Sequence, residues 1–161
     1  MQRREWLEWR RKGIGASDVA MLLGISPWGG PWDLWAAKTL GFAGPARPAL
    51  AMGRAIEPLG LAGAAEELEC KLEPGGRLEE RGPLRGTPDG FLSPWAGGRA
   101  GIEAKTARYP DGWGEPGSDE IPAHYLAQAR AYLALSGLQT WIVAVWFLGT
   151  YQQRLYVVEA D

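Results

Sequence analysis

Apolar and polar positions follow one rhythm in the first seventy residues and another in the rest. Residues 4–12 carry apolar positions at helical spacing, and Gly13-Ile14-Gly15 breaks the pattern. Ser17 or Asp18 suits the cap of a second short helix that runs to Leu23 and stops at Gly24. Pro31 fits the first turn of a third helix, ended by Gly41. A fourth helical stretch covers about residues 50–69, where Pro58 is expected to kink or restart it just after Glu57. The pattern then shortens: Arg77–Glu80, Leu84–Leu92 and Arg99–Thr106 read as strands separated by glycine and proline turns. Residues 107–120 form a long Gly/Pro-rich loop. Pro122 opens a strong helix, with Tyr125, Ala129, Tyr132 and Leu133 at helical spacing, and Gly137 closes it. Two strands, about 140–148 and 151–159, make a hairpin around Gly149-Thr150. Helices, three strands, a helix and two strands predict an α/β fold: a central mixed β-sheet flanked by helices, in a single domain over residues 1–161.

Composition narrows the chemistry more than the fold. At 161 residues, 46% hydrophobic and 22% charged, the chain can bury an ordinary globular core. Its longest apolar run, Trp141 to Leu148, is far shorter than the ~20 residues of a membrane span, and residues 1–12 are too charged for a signal peptide. A cytoplasmic protein without a membrane partner is therefore expected. One cysteine, Cys70, allows no internal disulfide, and one cysteine with one histidine leaves no ligand set for zinc. Any metal must then be held by carboxylates, which suits Mg²⁺, or Mn²⁺ as its substitute. Net charge is −2, but residues 1–12 hold five basic against two acidic side chains. By itself this basic end is a solvated helix and identifies no partner.

The sharpest chemical pattern is Thr87-Pro88-Asp89-Gly90 followed by Gly101-Ile102-Glu103-Ala104-Lys105-Thr106. Strand alternation puts Glu103 and Lys105 on one face and Ala104 on the other. Asp89, on the preceding strand of the same hairpin, is near enough to share a cation with Glu103. Two carboxylates form a hard, oxygen-only site, and a neighbouring lysine can orient or deprotonate water and balance charge on a phosphate. That set suits phosphodiester hydrolysis. The spacing alone equally fits a surface Glu–Lys pair of little consequence.

This D…ExK arrangement is similar to the PD-(D/E)xK nuclease signature. Gly13-Ile14-Gly15-Ala16-Ser17-Asp18, Ser26-Pro27-Trp28, Gly53-Arg54-Ala55-Ile56-Glu57-Pro58 and Ile121-Pro122-Ala123-His124-Tyr125-Leu126-Ala127-Gln128 resemble, in order, the blocks of the YqaJ-like viral recombinase family. The resemblance implies a restriction-endonuclease-like core and a Mg²⁺-dependent deoxyribonuclease. It implies Asp89 and Glu103 as metal ligands with the Ala104 carbonyl, and Lys105 acting on the nucleophilic water. Glu57 would line the metal site from its helix, and Gln128 would position the nucleophile or a phosphate. The segment from Arg10 to Ser17, including Arg11, would contact the 5′ end of DNA, with Thr87 and Tyr125 as further DNA contacts. Local readings compete with these. Glu57 also suits a cap for a segment restarted at Pro58, Ser17 a plain helix cap, and Tyr125, Gln128 and Tyr132 a purely structural helix face.

Nine tryptophans are expected mostly in the core, with Trp28 and Trp32 locking the first helices together. Trp113 reads either as a base-stacking residue or as a loop anchor, and His124 as a helix-surface residue with DNA contact open to it. The resemblance favours a 5′→3′ exonuclease on double-stranded DNA that leaves 3′ single strands for a single-strand annealing protein, with assembly into a homo-oligomer such as a ring trimer open to it. The alternatives are an endonuclease or single-strand exonuclease of the same fold, or a catalytically silent DNA-binding scaffold.

Overall fold

A computed structural model describes residues 3–41, 48–78 and 80–161. Helix α1 spans Arg3–Arg11, and a two-residue strand β1, Ile14–Gly15, leads into a 3-10 turn at Ala16–Asp18 and helix α2, Val19–Leu22. Helices α3, Pro31–Thr39, and α4, Pro48–Glu67, follow. Strands β2 (Lys71–Pro74), β3 (Leu84–Arg85), β4 (Gly90–Trp95) and β5 (Gly98–Ala107) precede helix α5, Ala123–Ser136. Strands β6, Thr140–Phe147, and β7, Gln152–Glu159, end the fold.

The main sheet has the order β2-β4-β5-β6-β7. Only β5 and β6 run parallel; the other neighbours are antiparallel, so the mixed sheet expected from the element order is present. The parallel pair needs a crossover, and α5 supplies it. Gly137, at φ 71°, accepts the left-handed conformation that ends α5 and turns the chain into β6.

Residues of β6 alternate between the two faces. Trp141, Val143, Val145 and Phe147 pack with Ala129, Tyr132 and Leu133 of α5. Ile142 and Ala144 pack with Leu61, Ala64 and Ala65 of α4, together with Ile102 and Leu155. Both faces are therefore covered, and β6 reads as a continuous apolar run because it has no solvent side. Fully burying each of the larger side chains contributes on the order of 1.5–3 kcal/mol.

Several expectations need correction. No strand forms at Arg77–Glu80: residues 75–78 lack regular structure, and 79 lies outside the described residues. The strand there is β2, with alternation too weak to see because Leu72 is its only large aliphatic residue. The expected strand Leu84–Leu92 is two strands. β3 pairs in parallel with β1, β4 begins at Gly90, and Asp89 sits in the bend between them. Helix α4 neither stops nor restarts at Pro58, which lies inside it. Glu57 therefore caps nothing. Among the nine tryptophans only Trp9 and Trp141 are buried. Trp28 is 52% exposed, and Trp32, 72% exposed, stacks on Trp35 at 4.7 Å. Neither locks a core between helices.

Candidate active site

The sheet opens where β4 begins. The antiparallel register pairs Gly90 with Ile102, so β5 has no β4 partner beyond Ile102. One step further, the same register sets Asp89 opposite Glu103. The edge is closed by a side chain instead: the Ala104 amide donates to Asp89 Oδ2 at 2.8 Å. A strand residue directs its N–H and C=O to the same side, so the Ala104 carbonyl leaves from this edge too.

Three contacts hold the Asp89 bend. Gly75 lies so close that a Cβ would sit 1.9 Å from the Pro88 carbonyl oxygen, and its amide donates to the Asp89 carbonyl at 3.2 Å. The Tyr132 hydroxyl donates to the Thr87 carbonyl at 3.1 Å. Trp6 Nε1 donates to Thr87 Oγ1 at 3.4 Å. Thr87 thus supports the bend, and Gly75 and Tyr132 are supports that sequence reasoning missed. No signal marks Gly75, because one glycine in a Pro-Gly-Gly turn looks like any other.

On the α5 face, Glu103 Oε1 accepts from Lys105 Nζ and from Gln128 Nε2, both at 2.7 Å. Glu103 is 7% exposed, which overturns the reading of a surface pair. Its Oε2 is buried without a hydrogen-bonding partner among the described residues. An orphaned buried carboxylate oxygen is costly, and such atoms call for an explanation such as an ion. Gln128 is buried and spends its amide on Glu103, so it is part of the cluster rather than a neutral helix face.

The electrostatics agree with the geometry. Burial, then the facing Glu103 charge, pushes the Asp89 carboxyl up to about 8. Burial first, and Glu103 second, also raises Glu57, which brings that α4 carboxyl into the same field. Burial works to lower Lys105, but the bonded Glu103 carboxylate, together with Asp89 and Tyr125 beside it, outweighs that, and the Lys105 ammonium is held above the ordinary lysine range. Lys105 is therefore a cation here, suited to orienting groups and balancing charge. Asp89, Glu103 and the Ala104 carbonyl offer a compact oxygen set for a hard divalent cation, which would also relieve the carboxylate repulsion. No cluster of three or more His, Cys, Asp or Glu that could hold a metal occurs among the described residues, so carbonyl and water oxygens would complete the shell.

Beside Lys105 lies an aromatic wall. Tyr125 has its ring centre 5.4 Å from Lys105 Nζ, and Trp113 packs on Tyr125, Phe147 and Tyr156 at 5.1 to 5.7 Å. Trp113 is thus the anchor of its loop. His124 is half-buried rather than a surface residue, lying 4.8 Å from the Trp28 ring. Burial, then the Lys105 charge, lowers its pKa and favours neutral imidazole.

A second polar cluster gathers residues from α1, the 3-10 turn and α3. Arg10 Nη2 donates to Ser17 Oγ at 2.9 Å and to Asp18 Oδ1 at 3.0 Å. Ser17 makes no capping bond to α2. Its hydroxyl is instead exposed beside Arg10. Arg11 is exposed, with its guanidinium over Gly41, and is not drawn into this cluster.

Comparison with known proteins agrees with this architecture. The YqaJ protein of Bacillus subtilis (strain 168), described as uncharacterized, is 31% identical over 147 residues. The match takes in 85% of this chain, which spans only 43% of that relative's length. The crystal structure of LHK-Exo in complex with dAMP superposes with a TM-score of 0.73 at 19% identity, over 98% of this chain and 83% of that one. LHK-Exo is an alkaline exonuclease from Laribacter hongkongensis. A phage-related exonuclease from Haemophilus somnus 129PT gives a TM-score of 0.67 at 12% identity, over 92% of this chain and 85% of that one. At such identities these structures show a shared fold. The family model for the YqaJ-like viral recombinase domain matches residues 5–139, most of the chain, and the chain belongs to that family.

Proposed function

We propose that the protein is a divalent-metal-dependent deoxyribonuclease, using Mg²⁺ with Mn²⁺ as a substitute, that degrades double-stranded DNA from its 5′ ends. The observation that carries this reading is the Asp89–Glu103–Lys105 cluster around a buried Glu103, one of whose oxygens has no partner among the described residues. A surface ion pair has no need of that burial, and a silent scaffold would gain stability by losing clustered carboxylates. Family membership and the exonuclease fold of its structural neighbours support the same class of chemistry.

A divalent cation held by Asp89, Glu103 and the Ala104 carbonyl would act as a Lewis acid on the scissile phosphate and the attacking water. Lys105, held as an ammonium, orients that water and balances charge building on the phosphate. Gln128 fixes the Glu103 carboxylate from α5, and Glu57 lines the site from α4. Tyr125 forms the wall beside Lys105. Arg10 and Ser17 form a pocket for the 5′ phosphate, since an arginine fork beside a hydroxyl suits a phosphate. The product is a 3′ single strand, available to an annealing protein.

Linear duplex labelled at the 5′ or the 3′ end, with and without Mg²⁺, tests the reading. Early release of the 5′ label, abolished by chelator and restored by Mg²⁺ or Mn²⁺ but not by Ca²⁺, is expected. Undiminished cleavage in excess chelator refutes the two-carboxylate mechanism. Equal early release from both ends, or internal cuts, moves the assignment to an endonuclease of the same fold.

A further inference from the structure

The cluster around Arg10 has a centre that the phosphate-pocket reading does not use. Asp18 is a buried carboxylate, 9% exposed, at the end of the 3-10 turn. Its Oδ2 accepts from the Gly15 amide at 2.8 Å and from Lys38 Nζ at 2.5 Å. Its Oδ1 accepts from Arg10 Nη2 at 3.0 Å. Lys38, from α3, also donates to the Arg10 carbonyl oxygen at 2.9 Å. One buried carboxylate therefore joins two cations from different helices.

We propose that Asp18 is a positioning residue that fixes Arg10 and Lys38 as one cationic unit facing the terminal 5′ phosphate of a DNA end. The proposal rests on reading Arg10 and Ser17 as that phosphate pocket. Two cations on one carboxylate leave the unit with one net positive charge, so it can neutralise part of a phosphate. Arg10 and Asp18 alone would leave none.

Geometry supports the same role. Arg10 uses only Nη2 on Ser17 and Asp18, and one face of its guanidinium lies 4.9 Å from the Trp6 ring. Among the described residues, Nε and Nη1 carry no hydrogen bond, so half of the planar fork is held ready for an anion. Fixing a long side chain before the ligand arrives removes part of the ordering cost of binding. Without Asp18, Arg10 and Lys38 would repel each other, and the Lys38 ammonium, 16% exposed, would lose its counter-charge. The competing role is a pin between α1, the turn and α3, which would affect folding but would not act through Arg10.

The test is the ratio of initial rates on linear duplex bearing a 5′ phosphate or a 5′ hydroxyl. The wild-type ratio is expected at roughly ten to a hundred, the scale of one charge-assisted phosphate contact. Asp18→Asn is expected to cut it by about tenfold, chiefly through KM for the phosphorylated end. In an Arg10→Ala background, adding Asp18→Asn should change the ratio much less than it does in the wild type, because Asp18 acts mainly through Arg10. A wild-type ratio retained in Asp18→Asn but lost in Arg10→Ala overturns the positioning role and leaves the pocket standing. A wild-type ratio of one overturns the pocket and the positioning role together. If Asp18→Asn fails to fold, Lys38→Met carries the test, because it leaves Arg10 neutralised by Asp18. A fallen ratio supports the proposal, and an unchanged one overturns it.

Discussion

Replacing Glu103 by Gln removes a charge from the site without removing volume. In the wild type, Oε1 accepts two hydrogen bonds, one from a lysine ammonium and one from the Gln128 amide, both at 2.7 Å. The amide oxygen of Gln can keep both acceptor roles; the Gln128 bond then joins two neutral groups, while the Lys105 bond keeps its charged donor and loses the ion pair. A bond to a charged group contributes about 1.5–3 kcal/mol and a neutral one about 0.5–1.5, so the loss at the Gln128 bond is about 1 kcal/mol or slightly more. An opposing effect follows, because the facing Glu103 charge is the second cause, after burial, of the raised Asp89. Without it Asp89 ionises more readily and becomes the counter-charge for Lys105. The net stability change of the metal-free protein is expected within about 2 kcal/mol, a melting shift of a few degrees at this size. Turnover should fall far more, by roughly 10²- to 10³-fold, because the substitution removes one of the two carboxylates that would hold the divalent cation. Initial rates on end-labelled duplex in Mg²⁺, paired with melting curves in chelator, separate the two quantities. A rate within threefold of wild type in a folded variant would make Glu103 an ordinary buried ion-pair partner. Collapse of the fold would make the strand structural.

Lys105→Ala should keep the fold and slow turnover roughly 10²-fold, the scale of one lost electrostatic or proton-handling group; an unchanged rate would return Lys105 to the role of a counter-ion for Glu103. Stability in chelator carries a pH signature. Asp89 stands at about 8 in the folded protein against 3.8 for a free carboxyl, so the folded state holds the proton more tightly. Its contribution is full below about pH 4, declines as pH rises toward about 8, and is level above that. Melting temperatures from pH 5 to 9 should therefore show a decline that Asp89→Asn lacks and that saturating Mg²⁺ removes. The same slope in Asp89→Asn would assign the titration to another group.

The legible parts of the chain were those whose signal is local. The three short N-terminal helices, α5 with its Gly137 stop and the β6–β7 hairpin all follow from periodicity and from glycine or proline positions. Glu103 and Lys105 fall on one face because strand alternation is itself local. The misreadings arose where partners are distant in sequence. β2 is identified by its register with β4 rather than by its own composition. Asp89 reads as a strand residue until β3 pairs with β1 and leaves it in a bend. Pro58 reads as a kink or a restart, but α4 runs through it without restarting and packs Leu61, Ala64 and Ala65 against the sheet. The tryptophans misled for the opposite reason: ring size suggests burial, yet Trp32 and Trp35 satisfy each other at the surface. Asp18 was legible only as a cap, because Lys38 and Arg10 meet it through three separate elements.

The Ala104 amide hydrogen-bonds to a carboxylate where the sheet would otherwise provide a strand. Its proton therefore reports on the state of Asp89 in a way that its neighbours in the ladder do not. The amides of β6 and β7 are protected by cooperative pairing along whole strands, and they exchange only when the sheet opens. Ala104 is guarded by one side chain on a bend, so reorientation of that carboxylate exposes it while the sheet stays closed. In an amide-resolved spectrum this one resonance would act as a built-in gauge, shifting with Asp89 ionisation and with anything that captures its oxygens. Occupancy of the site could then be followed without a substrate, a label or a turnover.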